Sequence, residues 1–196
     1  MRKPRKEVRE RMQEHMAQIM DDLGLDATKE PGLLETPRRF VDYLLEFAQP
    51  LRIKEVLGNG FDVDSTGSHS MVVQTNIPFR MICEHHLLPA IGRAALGYVP
   101  NATVVGLSKL TRLVQAVGTE RPSIQEAICD RIANLLDEHL EPKGAIVVLR
   151  AEHTCMACRG VNAPGIFTTT SAVRGVFRDV PQARSEFFSL IRADQR

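Results

Sequence analysis

A thiol at Cys83 and imidazoles at His85 and His86 stand inside the apolar segment 81–89. Cys83 and His86 have Cys-x-x-His spacing, so a bend in the backbone lets a thiolate and a neutral imidazole converge on one borderline-soft cation, for which zinc is the natural choice. Two ligands leave a tetrahedral site half built. Segment 151–158 offers the remainder, with an imidazole at His153 and thiols at Cys155 and Cys158. Two arrangements fit these residues. If Cys83, His86, Cys155 and Cys158 all bind, the cluster is a closed staple. If three protein groups bind, the fourth position takes a water whose pKa the metal lowers to about 7. His85 and His153 flank the ligand positions. A staple has no use for them, whereas hydrolysis at an open metal needs groups that titrate near neutral pH.

Other residues point to an anionic substrate. Ser108, Lys109 and Arg112 fall in the first turns of an expected helix, where free backbone N–H groups and the macrodipole attract anions. Ser108 also fits as the N-cap of that helix, and the two roles are compatible. Arg159 follows the second cysteine pair and can serve the same anion. Ser123-Ile124-Gln125-Glu126 matches a capping box. The Glu126 carboxylate equally suits the paired N–H groups of a guanine edge, and the residues alone leave both readings open.

The elements that must position these groups follow from periodicity. Helical spacing over 7–23 brings Val8, Met12, Ile19 and Leu23 to one face, with Gly24 as a stop. A second helix opens at Thr36-Pro37, a hydroxyl cap followed by Pro in the first turn, and carries Phe40, Val41, Leu44 and Leu45. Residues 49–69 read as a connector. From Ser70 onward β-rich runs at 71–75, 78–82 and 91–99 suggest antiparallel strands. Two helices follow, one capped by Ser108 and ending at Gly118, the other capped by Ser123 and running to Leu140. A strand at 145–150 then delivers His153 and Cys155 at its exit. A further strand spans 166–177, and a terminal helix spans 181–193 with Phe187, Leu190 and Ile191 on one face. The expected class is α+β, with a helical part and connector over 1–68 and a catalytic domain over 69–196.

Bulk composition narrows the partners. Of 196 residues 43% are hydrophobic and 25% charged, and the formal net charge is +1. That balance calls for neither a nucleic-acid face nor an acidic tail. The 4 cysteines follow no signal-like apolar region, and no apolar run reaches membrane-spanning length. The expectation is a cytoplasmic protein whose reduced thiols serve metal or chemistry, with no membrane and no nucleic-acid partner.

Taken together, Glu35-Thr36-Pro37-Arg38, Cys83-Glu84-His85-His86-Leu87-Leu88-Pro89, Gly106-Leu107-Ser108-Lys109 with Arg112, Ile124-Gln125-Glu126, His153-Thr154-Cys155 with Arg159-Gly160, and Thr170-Ser171-Ala172-Val173-Arg174-Gly175 resemble the GTP cyclohydrolase I family, in family order and over nearly everything from Leu34 onward. The resemblance implies zinc on Cys83, His86 and Cys155, with Cys158 outside the ligand set. It implies that activated water adds to C8 of GTP, that C8 leaves as formate, and that ribose rearrangement and reclosure give 7,8-dihydroneopterin 3'-triphosphate for tetrahydrofolate and pterin synthesis. His153 matches the position exchanging a proton with N7, and His85 the one near the ribose ring oxygen. Ser108, Lys109, Arg112 and Arg159 match triphosphate contacts, with Arg38 a further phosphate candidate, and Gln125 and Glu126 match the purine-binding pair. The implied fold is a four-stranded antiparallel sheet of the tunnelling type with helices on one face, the sheets of several subunits closing into a barrel within a homodecamer of two pentamers. Three departures stand out: one extra residue within 117–122, Asp42 where many members carry a basic residue, and the thiol of Cys158.

Overall fold

Strand β5 (Gly144–His153) explains the layering of the molecule, because its run Ala145-Ile146-Val147-Val148-Leu149 is apolar on both faces and needs cover on both. It pairs antiparallel with β3 (Pro89–Val99) on one side and β6 (Phe167–Gly175) on the other, and β2 (Val72–Ile82) completes a 4-stranded sheet in the order β2-β3-β5-β6. The computed structural model describes residues 6–49, 51–58, 60–67 and 70–193. Parts of the expected connector, at 50, 59, 68 and 69, lie outside them.

Two compact units divide the chain at Pro50/Leu51. In the first, α1 (Lys6–Asp22) packs on α2 (Thr36–Glu46), burying Met20 and Val41, with a single 3-10 turn at Pro31–Leu33 between them. Gly24, at φ +75°, ends α1 as its position suggested. Glu35, not Thr36, occupies the N-cap of α2, and Pro37 sits in the first turn.

In the second unit, α3 (Ile53–Leu57) packs on α5 (Leu107–Gly118), so this part of the expected connector belongs to the catalytic body. β1 (Phe61–Asp62) and β4 (Thr103–Val104) make a small 2-stranded sheet, and the Asp62 carboxylate caps α4 (Val63–Thr66). These pieces are too short for any periodicity to announce.

The main core lies between the sheet and the pair α5 and α6 (Gln125–Leu140). Ala94, Leu96 and Tyr98 of β3 and Val147, Leu149 and Ala151 of β5 meet Leu110, Leu113 and Val114 of α5 and Ile128, Ile132 and Leu136 of α6. The opposite face is not bare. Ile146 packs with Phe177 of α8 (Val176–Asp179) and Phe187 of α9 (Pro181–Ala193), all fully buried. Helices therefore cover both faces in part, correcting the expectation of one, because the odd positions of β5 are as apolar as the even ones. Burying a Phe side chain is worth about 1.5–3 kcal/mol, enough to hold the terminal helix in place.

The expected runs at 71–75 and 78–82 are one strand. Its register slips between Gln74 and Ile77, where Asn76 takes φ 54°. A bulge of this kind bends an edge strand without ending it, and the edge position tolerates Pro78. Among the described residues no helix is long and apolar enough to cross a membrane.

Gly92 sits opposite Ala151 in the β3–β5 ladder, where an added Cβ would fall on the Arg150 carbonyl and 2.5 Å from the Ala151 Cα. Gly92→Ala is expected to cost about 1–3 kcal/mol, read as a lower denaturant midpoint at unchanged slope.

Candidate active site

The site is built where strands β2, β3 and β5 end together. Beyond Ile82 the chain turns through 83–88 and returns as β3, closed by Leu87 N–H to Cys83 O and Cys83 N–H to Leu88 O, both 2.9 Å. Leu87 adopts φ 52°, a left-handed conformation costing about 1–2 kcal/mol for a residue with a Cβ. The turn buries Cys83 and leaves His85 and His86 exposed. His85 Nδ1 lies 3.7 Å from Cys83 Sγ, and the two imidazole centroids are 6.3 Å apart.

Segment 119–122 rejoins the fold at Ser123. Ser123 N–H donates to Ile82 O at 3.0 Å, and Ser123 O accepts from Glu84 N–H at 3.1 Å, a parallel bridge beside Cys83. Ser123 is thus strand-like rather than a cap. The N-cap of α6 is Ile124 and that of α5 is Gly106, and neither helix has a side-chain cap. The expected capping roles of Ser108 and of the Ser123–Glu126 box are absent, since extended backbone carries the chain into both helices.

From β5, His153 enters α7 (Thr154–Ala157), which is moored by Thr154 Oγ1–H to Pro89 O at 2.6 Å. That bond sets Cys155 beside the Cys83 turn. One ligand atom each from Cys83, Cys155 and His153 lie within 4.8 Å of one another. All four cysteines are free thiols, and burial first, then the neighbouring Cys83, pushes the Cys155 thiol up. Two thiols and an imidazole in one pocket are a donor set that suits zinc. The structure does not bring His86 or Cys158 into this group. Cys158 is exposed, with its thiol donating to Thr154 O at 2.9 Å, and stands apart from the group that a closed four-ligand staple needs. Cys129 is buried in the core, and burial pushes its thiol up to about 11.

Behind His153 stands Gln125, only 2% exposed. Its Nε2 donates toward Leu149 O (3.2 Å), Thr168 O (3.1 Å) and Thr170 Oγ1 (3.1 Å), and its Oε1 lies 2.9 Å from His153 Nε2. Sequence reading assigned no part to Thr168 or Thr170. For Thr170 a signal was present, a polar side chain at a helix-facing position of β6, whereas Thr168 takes part through its backbone carbonyl, which no side-chain type announces. Burial lowers the proton affinity of His153, and the Glu126 carboxylate works against that.

Glu126, Ser108, Arg112 and Arg159 are exposed. Lys109 is half-buried, its Nζ close enough to Gly58 that an added Cβ there would lie 3.1 Å away. Arg38, in the first unit, is engaged by Glu35 at 2.6 Å and Asp42 at 3.1 Å, and Arg9 also contacts Asp42. Asp42 therefore neutralises the helix face where a phosphate contact was expected.

A family model described as GTP cyclohydrolase I matches residues 12–192. The GTP cyclohydrolase 1 of Halalkalibacterium halodurans is 44% identical over 186 residues, covering 93% of this chain and 96% of that protein. That of Aquifex aeolicus is 40% identical over 184 residues, covering 94% and 97%. That of Dictyostelium discoideum is 39% identical over 191 residues, covering 96% and 81%.

With Cys158 outside the thiol group, Cys158→Ser is expected to keep its full zinc content by atomic absorption, while Cys83→Ser and Cys155→Ser lose most of theirs.

Proposed function

The chain belongs to the GTP cyclohydrolase I family and carries its activity, the zinc-dependent hydrolytic opening of the guanine imidazole ring of GTP; we propose that Cys83, His86 and Cys155 hold the zinc while His153 and His85 handle protons beside it. The observation that carries the assignment is the meeting of the Cys83 and Cys155 thiols, brought from strand ends far apart in sequence, with His153 as the imidazole beside them. Zinc held there supplies the Lewis acidity that makes water a nucleophile near neutral pH. The products are formate and 7,8-dihydroneopterin 3'-triphosphate.

The chain's own groups do the rest. His153, half-buried and tied to Gln125, exchanges a proton with N7 of the guanine as the ring opens. His85, beside Cys83 on the exposed side of the turn, attends the ribose ring oxygen. Glu126 presents its carboxylate from the first turn of α6 to the N–H edge of guanine, which adenine lacks. Ser108, Lys109 and Arg112 in the first turns of α5, together with Arg159, receive the triphosphate. The uncapped N–H groups of α5 favour an anion there. Arg38 is free for a phosphate only if it leaves Glu35 and Asp42.

The grouping of His153 with the two thiols favours a second assignment, in which His153 is the third ligand and His86 is not. Cys-x-x-His spacing on a tight turn supports His86.

We place the protein in the cytoplasm as a homo-oligomer, a decamer of two pentamers whose tunnelling-type sheets close into a barrel. Free thiols support the compartment. The 11-residue β2 and 9-residue β6 are both sheet edges, and long edges call for a partner strand.

Zinc-loaded protein is expected to release formate from GTP and yield a neopterin that fluoresces after oxidation, with loss of both on chelation. His153→Ala should keep zinc and GTP binding while turnover falls at least about 10²-fold, the lower end for losing a proton-transfer group; His86→Ala should lose zinc. No formate from the metal-replete wild type would refute the function, and zinc loss in His153→Ala alone would exchange the two histidines.

A further inference from the structure

Gln125 matches a purine-binding position by sequence, yet its side chain has nothing left to offer a purine. It is 2% exposed, and both ends of its amide are engaged within the protein. Two of the groups facing Nε2 are the backbone carbonyls of Leu149 and Thr168, which can only accept. A flipped amide would set its oxygen against both carbonyls, at the cost of burying acceptors without donors. The orientation of the amide is therefore fixed from behind, and Oε1 is the atom turned to His153. An oxygen of this kind accepts, so the imidazole nitrogen 2.9 Å away must carry a hydrogen.

We propose that Gln125 is the positioning residue that fixes the tautomer of His153, keeping a hydrogen on Nε2 and leaving Nδ1 as the nitrogen that gives and takes a proton at the substrate. Imidazole has two tautomers of similar energy in water, and only one leaves a lone pair on the nitrogen the reaction uses. Purine recognition on this part of α6 then falls to Glu126, with the N-terminal backbone of the helix. The inference rests on the reading of His153 as the proton-exchanging group. Gln125 reaches the substrate only through His153, so its removal reduces turnover rather than affinity.

Neutron diffraction from crystals of the zinc-loaded, deuterium-exchanged enzyme reads the tautomer without activity. Deuterium on Nε2 of His153 is expected, and a bare Nε2 facing Gln125 would overturn the proposal. In parallel, Gln125→Leu is expected to lower kcat about 10²-fold with KM for GTP within about twofold and zinc content unchanged. A rise in KM at unchanged kcat would return Gln125 to the purine, and zinc loss in Gln125→Leu would make it the support of a ligand; either result overturns the proposal. If His153→Ala turns over normally, the reading of His153 fails instead, whatever the neutron map shows.

Discussion

A carboxamide withdrawn from water must find partners for two hydrogens and an oxygen inside the protein, and the arrangement around Gln125 follows from that requirement. Its Nε2 reaches Leu149 on β5 and Thr168 and Thr170 on β6, while its Oε1 meets His153. One side chain thus pins the start of α6 to two strands and to the imidazole beside the thiols. Glu126, the next residue, inherits its position from the same anchorage. The opposite flank of β6 is tied to α6 as well, through Arg174 to Asp130 at 2.9 Å and to Asn134. Helix and sheet are held in one relation at both ends of their contact.

That rigidity suits the location of the chemistry. Cys83 and Cys155 stand just past the ends of strands and His153 on the last residue of β5, where β2, β3 and β5 give stiff backbone. The turns are secured individually, by Ser123 against Ile82 and Glu84, and by Thr154 against Pro89. The left-handed Leu87 shows that the 83–88 turn is held in a conformation its residues would not choose freely.

Much of this was legible in the residues. The long helices and strands were announced by period and by Gly and Pro punctuation, and the cysteines and histidines by their chemistry, with Cys83 and Cys155 meeting as expected. Three things were not legible, for separate reasons. Ser108 and Ser123 have cap-like positions, but local propensity yields when tertiary pairing draws the backbone straight, as the bridge to Cys83 does at Ser123. A bulge keeps β2 continuous through a Pro that reads locally as a break. Gln125 looks like any polar residue in a first turn; only the strands packed behind it show that it points inward. The choice among His85, His86 and His153 as partner of the thiols is likewise a matter of side-chain placement to which spacing is blind.

The two thiols that meet, Cys83 and Cys155, are far apart in sequence, and this bears on the order in which the protein acquires its parts. Cys83 precedes β3, whereas His153 and Cys155 come only after β5 has been made and paired. Loop closure of that length is entropically costly and is repaid only by the completed ladder. A chain emerging from the ribosome carries the Cys83 turn for a long stretch of synthesis with no partner thiol. The pair of thiols therefore comes together only once the centre of the sheet has formed, and metal uptake follows that pairing rather than starting it.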